Sequence, residues 1–408
     1  MSLIKDSTVY VMGEMFSRAL PFILLPYLTR SLGVEGFGEL SLFHAWLVLA
    51  YVLLGLSMEG AIARYYYRYG HHAMGNLVIV SYLYVTVMFL IFLIAALVIK
   101  SNDMILISTV GALQSILNVQ LSVRQCQKKS ISYLKIQLGQ AIVSVIFTVM
   151  FFELLAPSAE LRFVSLGAGY LLFSLLSVRS FLKVHKVNYN ALLRDCKKLL
   201  LYLFSFGIPL ILHQLNFFFK GQADRFFINS LYDSHLLGIY SAAFQLASIF
   251  LILAQSINKG IVPYFYENVK NNKINAKRVL TWCRMYILLV PFIIALVYLI
   301  PEQVYLYFLG SDFKGVKQNV VVFLSGMSLF PMYLMLTNYL FYKGENKVIS
   351  MCSFTSALLY VLCLFVFSSQ GFEWLPFSLL ISNLFLVLSL YAVTYRKYYF
   401  RSTSCFNE

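Results

Sequence analysis

Charge is scarce in this 408-residue sequence: only 12% of residues are charged, with 17 acidic against 32 basic side chains. A soluble domain carries about a quarter charged residues and is roughly half apolar. Here 60% is hydrophobic, collected in long runs almost free of charge. That pattern excludes an ordinary soluble fold and marks a membrane protein. The basic excess does not indicate nucleic acid, because Lys and Arg sit in short segments between the apolar runs. Catalytic motifs are missing too. There is no H-E-x-x-H, no G-x-S-x-G and no clustered carboxylates, so no enzyme is expected. The lack of G-x-x-x-x-G-K-S/T excludes an intrinsic ATP drive, and no cofactor is expected. The six cysteines (126, 196, 283, 352, 363 and 405) have no metal-ligand spacing. His71 and His72 lie in a basic loop without carboxylate partners, so no metal site is expected. The N-terminal apolar segment is internally charged and too long for a cleavable signal peptide.

What is present is a series of spans. A crossing takes about 20 apolar residues. Twelve are expected, near 7–29, 40–59, 77–99, 104–123, 136–153, 163–182, 199–224, 236–258, 282–301, 318–342, 348–369 and 374–395. Between the first two stands a Gly-rich turn with Gly33, Gly36 and Gly38. Most Lys and Arg fall on alternate connections, among them Arg124, Lys128, Lys129, Lys183, Lys197, Lys270 and Lys343. Arg30, Lys100, Arg162, Arg225, Lys314 and Lys317 fall on the other side. The positive-inside rule therefore places both termini in the cytoplasm.

The two halves of the chain resemble one another. Phe16-Ser17-x-x-Leu20-Pro21 matches Phe204-Ser205-x-x-Ile208-Pro209, and at an offset of 200 residues Gly38, Ser41, Gly60 and Tyr66 match Gly238, Ser241, Gly260 and Tyr266. A basic segment falls near the midpoint. The expected organisation is a six-helix lobe over 1–184, a cytoplasmic basic linker over 185–198 and a second six-helix lobe over 199–408, around a central cleft.

Ionised side chains inside spans cost about 2.5–3.5 kcal/mol each and so point to function or to pairing. Glu14 and Arg18 are spaced for an intrahelical pair. They either neutralise each other or face the cleft. Lys220 and Asp224 repeat that spacing and either line the cleft or snorkel at the outer interface. Glu59 and Lys259 occupy equivalent inner positions, as an inner gate or as loop-edge charges. Arg64 and Arg124 fit positive-inside anchoring. Tyr65, Tyr66 and Tyr67 fit an interfacial aromatic belt. Prolines 21, 26, 209, 263, 291 and 331 mark candidate bends.

Two blocks carry a family resemblance. Pro26-Tyr27-Leu28-Thr29-Arg30-Ser31-Leu32-Gly33-x-x-x-Phe37-Gly38-x-x-Ser41 is one; Asp224-Arg225-Phe226-Phe227-Ile228 followed by Gly238-Ile239-Tyr240-Ser241 is the other. They resemble the signatures of the polysaccharide transporter family in the MATE-like MOP superfamily, and most closely its Wzx-type O-antigen flippases. The resemblance implies an all-α integral membrane fold. It implies export of an undecaprenyl-pyrophosphate-linked oligosaccharide, an O-antigen or capsule repeat unit, across a bacterial inner membrane by alternating access with H+ or Na+ coupling. On that reading Arg18, Arg64 and Lys220 contact the headgroup. Glu14, Asp224, Glu59 and Lys259 couple or gate, and Arg30, Gly33, Gly38, Arg225 and Gly238 are motif positions. Partners would be the lipid-linked glycan, membrane lipid, a polysaccharide polymerase and a chain-length regulator. A drug/cation antiporter of the same superfamily would want cleft carboxylates without a matching cation, and Arg18 argues against it. An O-antigen polymerase or ligase would want a long outer loop with arginines, which is lacking. A membrane scaffold would have no need of charges within its spans.

Overall fold

The protein, here a computed structural model, is described over residues 2–70, 74–184 and 189–400. Its side chains are described from Ala19 onward, except those of 189–191, 193, 212, 213, 216, 217, 399 and 400. Glu14, Arg18, His71, His72 and residues 185–188 thus fall wholly or in their side chains outside the described residues.

The described chain is almost entirely helical. Helix α1 (Ser2–Gly55) leaves helical geometry at one residue, Gly33, with φ 66° and ψ −174°. That region is open essentially to glycine alone. The expected Gly-rich turn is therefore a single-residue kink between two helical segments, because Gly36 and Gly38 keep helical backbone. Leu56 and Ser57, at φ 45° and 51°, break the chain again before α2 (Met58–Tyr69). There follow α3 (Met74–Ile99), α4 (Asn102–Cys126), α5 (Ser130–Leu154) and α6 (Ala159–Val184). Next come α7 (Tyr189–Gly221), α8 (Ala223–Leu231) and α9 (Ser234–Lys270). The expected linker is thus already helix from Tyr189 onward.

The remaining helices are α10 (Ala276–Ile287), α11 (Val290–Tyr298), α12 (Glu302–Leu309), α13 (Val316–Met327), α14 (Phe330–Tyr342), α15 (Asn346–Ser368) and α16 (Phe377–Thr394). Spans nine and ten are each broken in two, just before Pro291 and Pro331, whose rings remove a donor and clash with the preceding turn. At the second break Met332 N–H turns to the Leu329 carbonyl, 3.1 Å away. The Ser328 carbonyl that this leaves open accepts the Tyr286 hydroxyl at 3.1 Å. Pro21, Pro26, Pro209 and Pro263 stay inside continuous helices.

Ten helical stretches among the described residues are long and apolar enough to cross a membrane. The first, Ala19–Tyr69, has 51 residues and suffices for two crossings at 1.5 Å per residue. Helix α7, partly outside the described side chains, adds another candidate.

By contact pattern the chain divides into two compact units. One is Met1–Leu32 with Glu39–Phe218; the other is Gly33–Gly38 with Phe219–Glu408. In the first, α4, α5 and α6 pack through small and hydroxyl side chains, as membrane helices do when no hydrophobic effect drives them together. A side chain at Gly169 would meet the Gln140 carbonyl at 3.0 Å and Ser144 Cβ at 3.2 Å. The start of α7 belongs here. Phe204 packs edge-on to Tyr84, and the Tyr202 hydroxyl donates to the Ala61 carbonyl at 3.3 Å. In the second unit, Val279, Leu280, Cys283, Leu336, Leu340 and Leu390 form an apolar core.

Candidate functional site

The two signature blocks meet inside the second unit. Gly38 and Gly238 abut backbone to backbone. A Cβ on Gly38 would lie 2.9 Å from the Gly238 nitrogen and collide with the Ser234 carbonyl. One on Gly238 would lie 2.8 Å from the Val34 carbonyl carbon. Phe37 packs edge-on to Phe313, with centroids 6.2 Å apart.

Beside them is a buried polar network. Asp224 is 0% exposed and Arg225 6%. Asp224 Oδ1 accepts from the Arg225 amide and from Arg225 Nη1, both at 3.0 Å. Its Oδ2 accepts from the Tyr240 hydroxyl at 2.7 Å and the Tyr360 hydroxyl at 3.0 Å. Arg225 also donates to the Gly221 carbonyl at 2.6 Å and lies over the Phe244 ring, 4.9 Å from its centroid. The D-R and G-x-Y-S parts of the second signature are thus bonded through Asp224 and Tyr240. A carboxylate so deeply buried needs this full set of donors.

Lys220 and Asp224, four residues apart in sequence, do not pair with each other. Every acceptor direction of Asp224 is turned to Arg225 and the two tyrosines. Lys220 Nζ instead donates to Ser356 Oγ and Asn383 Oδ1, each at 2.9 Å. Both acceptors are held: Ser356 donates to the Ser382 carbonyl at 2.5 Å, and Asn383 to the Gly326 carbonyl at 3.2 Å. Among the described residues no carboxylate reaches Lys220.

The first unit holds two more buried cations. Arg162 lies in the first turn of α6, where outer-loop exposure was expected, because α6 begins at Ala159. It is 7% exposed. Its Nη1 donates to Ser144 Oγ at 3.1 Å and Thr148 Oγ1 at 2.6 Å, while Nε has no partner among the described residues. Arg124, also 7% exposed, donates to the Gln120 carbonyl and the Ser177 carbonyl at 3.0 Å each, and to the Gln120 side chain. Arg162, Tyr240, Tyr360, Ser356 and Asn383 were not singled out as site residues from sequence. The hydroxyl pair Ser144 and Thr148, one turn apart on α5, was the available signal for Arg162.

The other expected site residues are dispersed. Arg64 is exposed, with its guanidinium over Phe206 at 5.7 Å. Glu59 accepts from the Tyr51 hydroxyl, which itself accepts from Asn118 at 2.8 Å. Lys259 is an exposed residue of α9, and Arg30 an exposed residue of α1. Tyr65 is half-buried, packed edge-on to Tyr202 at 5.2 Å, whereas Tyr67 is exposed. Among the described residues no group of His, Cys, Asp and Glu could hold a metal ion.

These features define a multi-pass, all-α integral membrane protein. The chain matches the polysaccharide biosynthesis protein family over residues 3–269 and belongs to it. A Haemophilus influenzae protein of the Lsg locus is 38% identical over 398 residues, covering 97% of this chain and 98% of its own. A further membrane protein of that organism is 36% identical over 398 residues with the same coverage. The fold is that of the MOP superfamily. A multidrug resistance MATE family transporter in an inward-facing conformation superposes with TM-score 0.71 at 14% identity, covering 93% of this chain and 94% of its own. The lipid II flippase MurJ, inward closed, gives TM-score 0.72 at 13% identity, covering 94% and 86%.

Proposed function

We propose that the protein is a flippase. It moves an undecaprenyl-pyrophosphate-linked oligosaccharide, an O-antigen or capsule repeat unit, from the cytoplasmic to the periplasmic leaflet of a bacterial inner membrane. Family membership, the Lsg-locus relative and a fold held in common with a lipid II flippase support this reading. The observation that carries it is the balance of buried charge among the described residues. Lys220 and Arg162 are solvated by neutral oxygens, whereas the fully buried carboxylate, Asp224, is already matched by Arg225. Interiors with surplus cation suit a pyrophosphate cargo and disfavour a cationic drug.

In this reading Arg18, Arg64 and Lys220 meet the headgroup as it passes. Arg18 is the foremost of them, since a guanidinium binds such oxyanions bidentately. Glu14, with Glu59 and Lys259, carries H+ or Na+ coupling and gating. Asp224, its acceptor sites filled, anchors the motif around which the second unit packs. Both termini lie in the cytoplasm, and a polymerase and chain-length regulator act downstream. The protein supplies a path and no bond-making chemistry.

Deleting the gene and tracing lipid-linked intermediates tests the proposal. Repeat units held on the cytoplasmic face are the expected result. Complete units left unpolymerised in the periplasm would point to a polymerase instead. Arg18→Ala against Arg18→Lys, at matched protein level, tests the headgroup assignment. Full export by Arg18→Ala would remove that residue.

A further inference from the structure

A second basic feature lies at the other end of α4, α5 and α6. There Val123, Arg124, Gln127, Lys129, Ser132, Ser180, Phe181 and Val184 enclose a cavity of about 80 Å³. Lysine and arginine distribution assigns this end to the cytoplasmic face.

The lining has one chemical bias. It contains two cations, two hydroxyls and an amide, and no carboxylate. The acidic residues of these three helices are Asp103, Glu153 and Glu160, at the first turn of α4, the end of α5 and the first turn of α6. All three are at the opposite end. Arg124 is held rigidly by Gln120 and Ser177 through Nη1 and Nη2, so its position is fixed before any ligand arrives. The cavity also sits at the N-terminus of α5, a 25-residue helix whose N-cap is Lys129. Lysine offers no acceptor to the first amides, so the positive end of that helix is not offset by its cap. The opposing negative end of α4 is offset. Lys129 N–H bonds the Arg124 carbonyl at 2.9 Å, and Gln127 N–H bonds the Val123 carbonyl at 3.0 Å. The lining includes an apolar, outward-facing residue: Val184 is 66% exposed.

We propose that this pocket binds a phosphate oxyanion, presented by the headgroup of an anionic lipid of the inner leaflet. The volume admits one tetrahedral anion. Arg124 and Lys129 supply charge, Ser132 and Ser180 supply hydroxyl donors, and the apolar, outward-facing Val184 lets the acyl chains remain in the bilayer. Basic pockets between helices on the cytoplasmic side are the known physical setting for such headgroups. The pocket's chemistry is independent of the transported cargo.

The test is native mass spectrometry of the full chain with phosphatidylglycerol or phosphatidylcholine, with inorganic phosphate as competitor. Wild type retains phosphatidylglycerol in preference to phosphatidylcholine. Lys129→Gln and Ser180→Glu, both at exposed positions, each lower that retention roughly fivefold or more. Lys135→Gln, exposed on the same helix and outside the lining, leaves it unchanged. If inorganic phosphate alone is retained, with the same dependence on Lys129 and Ser180, the oxyanion site stands and its source is soluble. Equal loss in Lys135→Gln, or wild-type retention of both ligands in Lys129→Gln and Ser180→Glu, overturns the proposal. Circular dichroism on each variant separates misfolding from loss of binding.

Discussion

Gly38 and Gly238, matched positions 200 residues apart in the two halves, touch each other through their backbones. Neither glycine is needed for an unusual φ, since both lie inside helices. Both are needed for the close approach. Substitution by alanine at either position forces the helices apart, at about 1–3 kcal/mol or more. Thermal melting in detergent is expected to register each change. The double variant should lose less than the sum, because one displacement relieves both clashes. Gly260→Ala serves as contrast. It meets nothing within 4 Å and is expected to leave the melting temperature unchanged or raise it.

Gly33 gives the opposite case. A Cβ there meets nothing within 4 Å, yet φ is +66°. Gly33→Ala is expected to destabilise by about 1–3 kcal/mol through backbone strain alone. Melting measurements that found no loss would mean that the kink is not the preferred conformation of α1.

Asp224 anchors four donors. Asp224→Ala removes the carboxylate that balances the buried Arg225 guanidinium and should cost about 3–5 kcal/mol. Tyr240→Phe removes one hydrogen bond to a charged acceptor, at about 1.5–3 kcal/mol. Expression and melting of the two variants should rank in that order. A reversed order would place the weight of the network on the tyrosine.

Lys220 separates stability from transport. Lys220→Met removes an ammonium that costs about 2.5–3.5 kcal/mol to insert, while leaving Ser356 and Asn383 with their other bonds. The variant is expected to melt no lower than wild type and to export less surface polysaccharide at matched protein level. Unchanged export would take Lys220 out of the headgroup path.

One pH effect follows between the start of α15 and the residues after α16. Glu345 accepts from Lys397 at 2.5 Å and Tyr398 at 2.6 Å. These bonds, Lys397 first, hold its carboxyl below the usual carboxylate range. A depressed folded value stabilises fully above the unfolded value, near 4.5, and is lost as pH falls through the lower folded value. Amide protection around 395–398, taken relative to the intrinsic exchange rate at each pH, is expected to fall over that acid window and to show no such step in Glu345→Gln.

Apolar run length marked the membrane-crossing helices, because it is a local property of the chain; the division into units was not legible, because Gly33–Gly38 and residues 199–218 join units through contacts distant in sequence. Gly33 was legible as a special position; that Gly36 would stay helical was not, since glycine permits either outcome. The partners of Asp224 were hidden for a different reason. Helical spacing makes Lys220 its nearest neighbour on paper, but Arg225, Tyr240 and Tyr360 reach it once α8, α9 and α15 pack. Arg162 was misplaced by a helix boundary: beginning α6 at Ala159 rather than after Arg162 turns an outer charge into a buried one. Ser356 and Asn383 carry no signal of their own, because serine and asparagine in a span gain meaning only from the cation opposite.

The membership of Gly33–Gly38 in the second unit bears on the order of synthesis. This hexapeptide leaves the ribosome early, but its partners Ser234 and Gly238 follow about 200 residues later. At about 5–20 residues per second that is roughly 10–40 s. Residues 199–218 stand in the converse relation, completing the first unit late. A chain cut within the midpoint basic segment would therefore yield two fragments, each missing a piece of its own unit that the other fragment carries. When synthesis reaches the midpoint basic segment, neither unit yet has all of its residues.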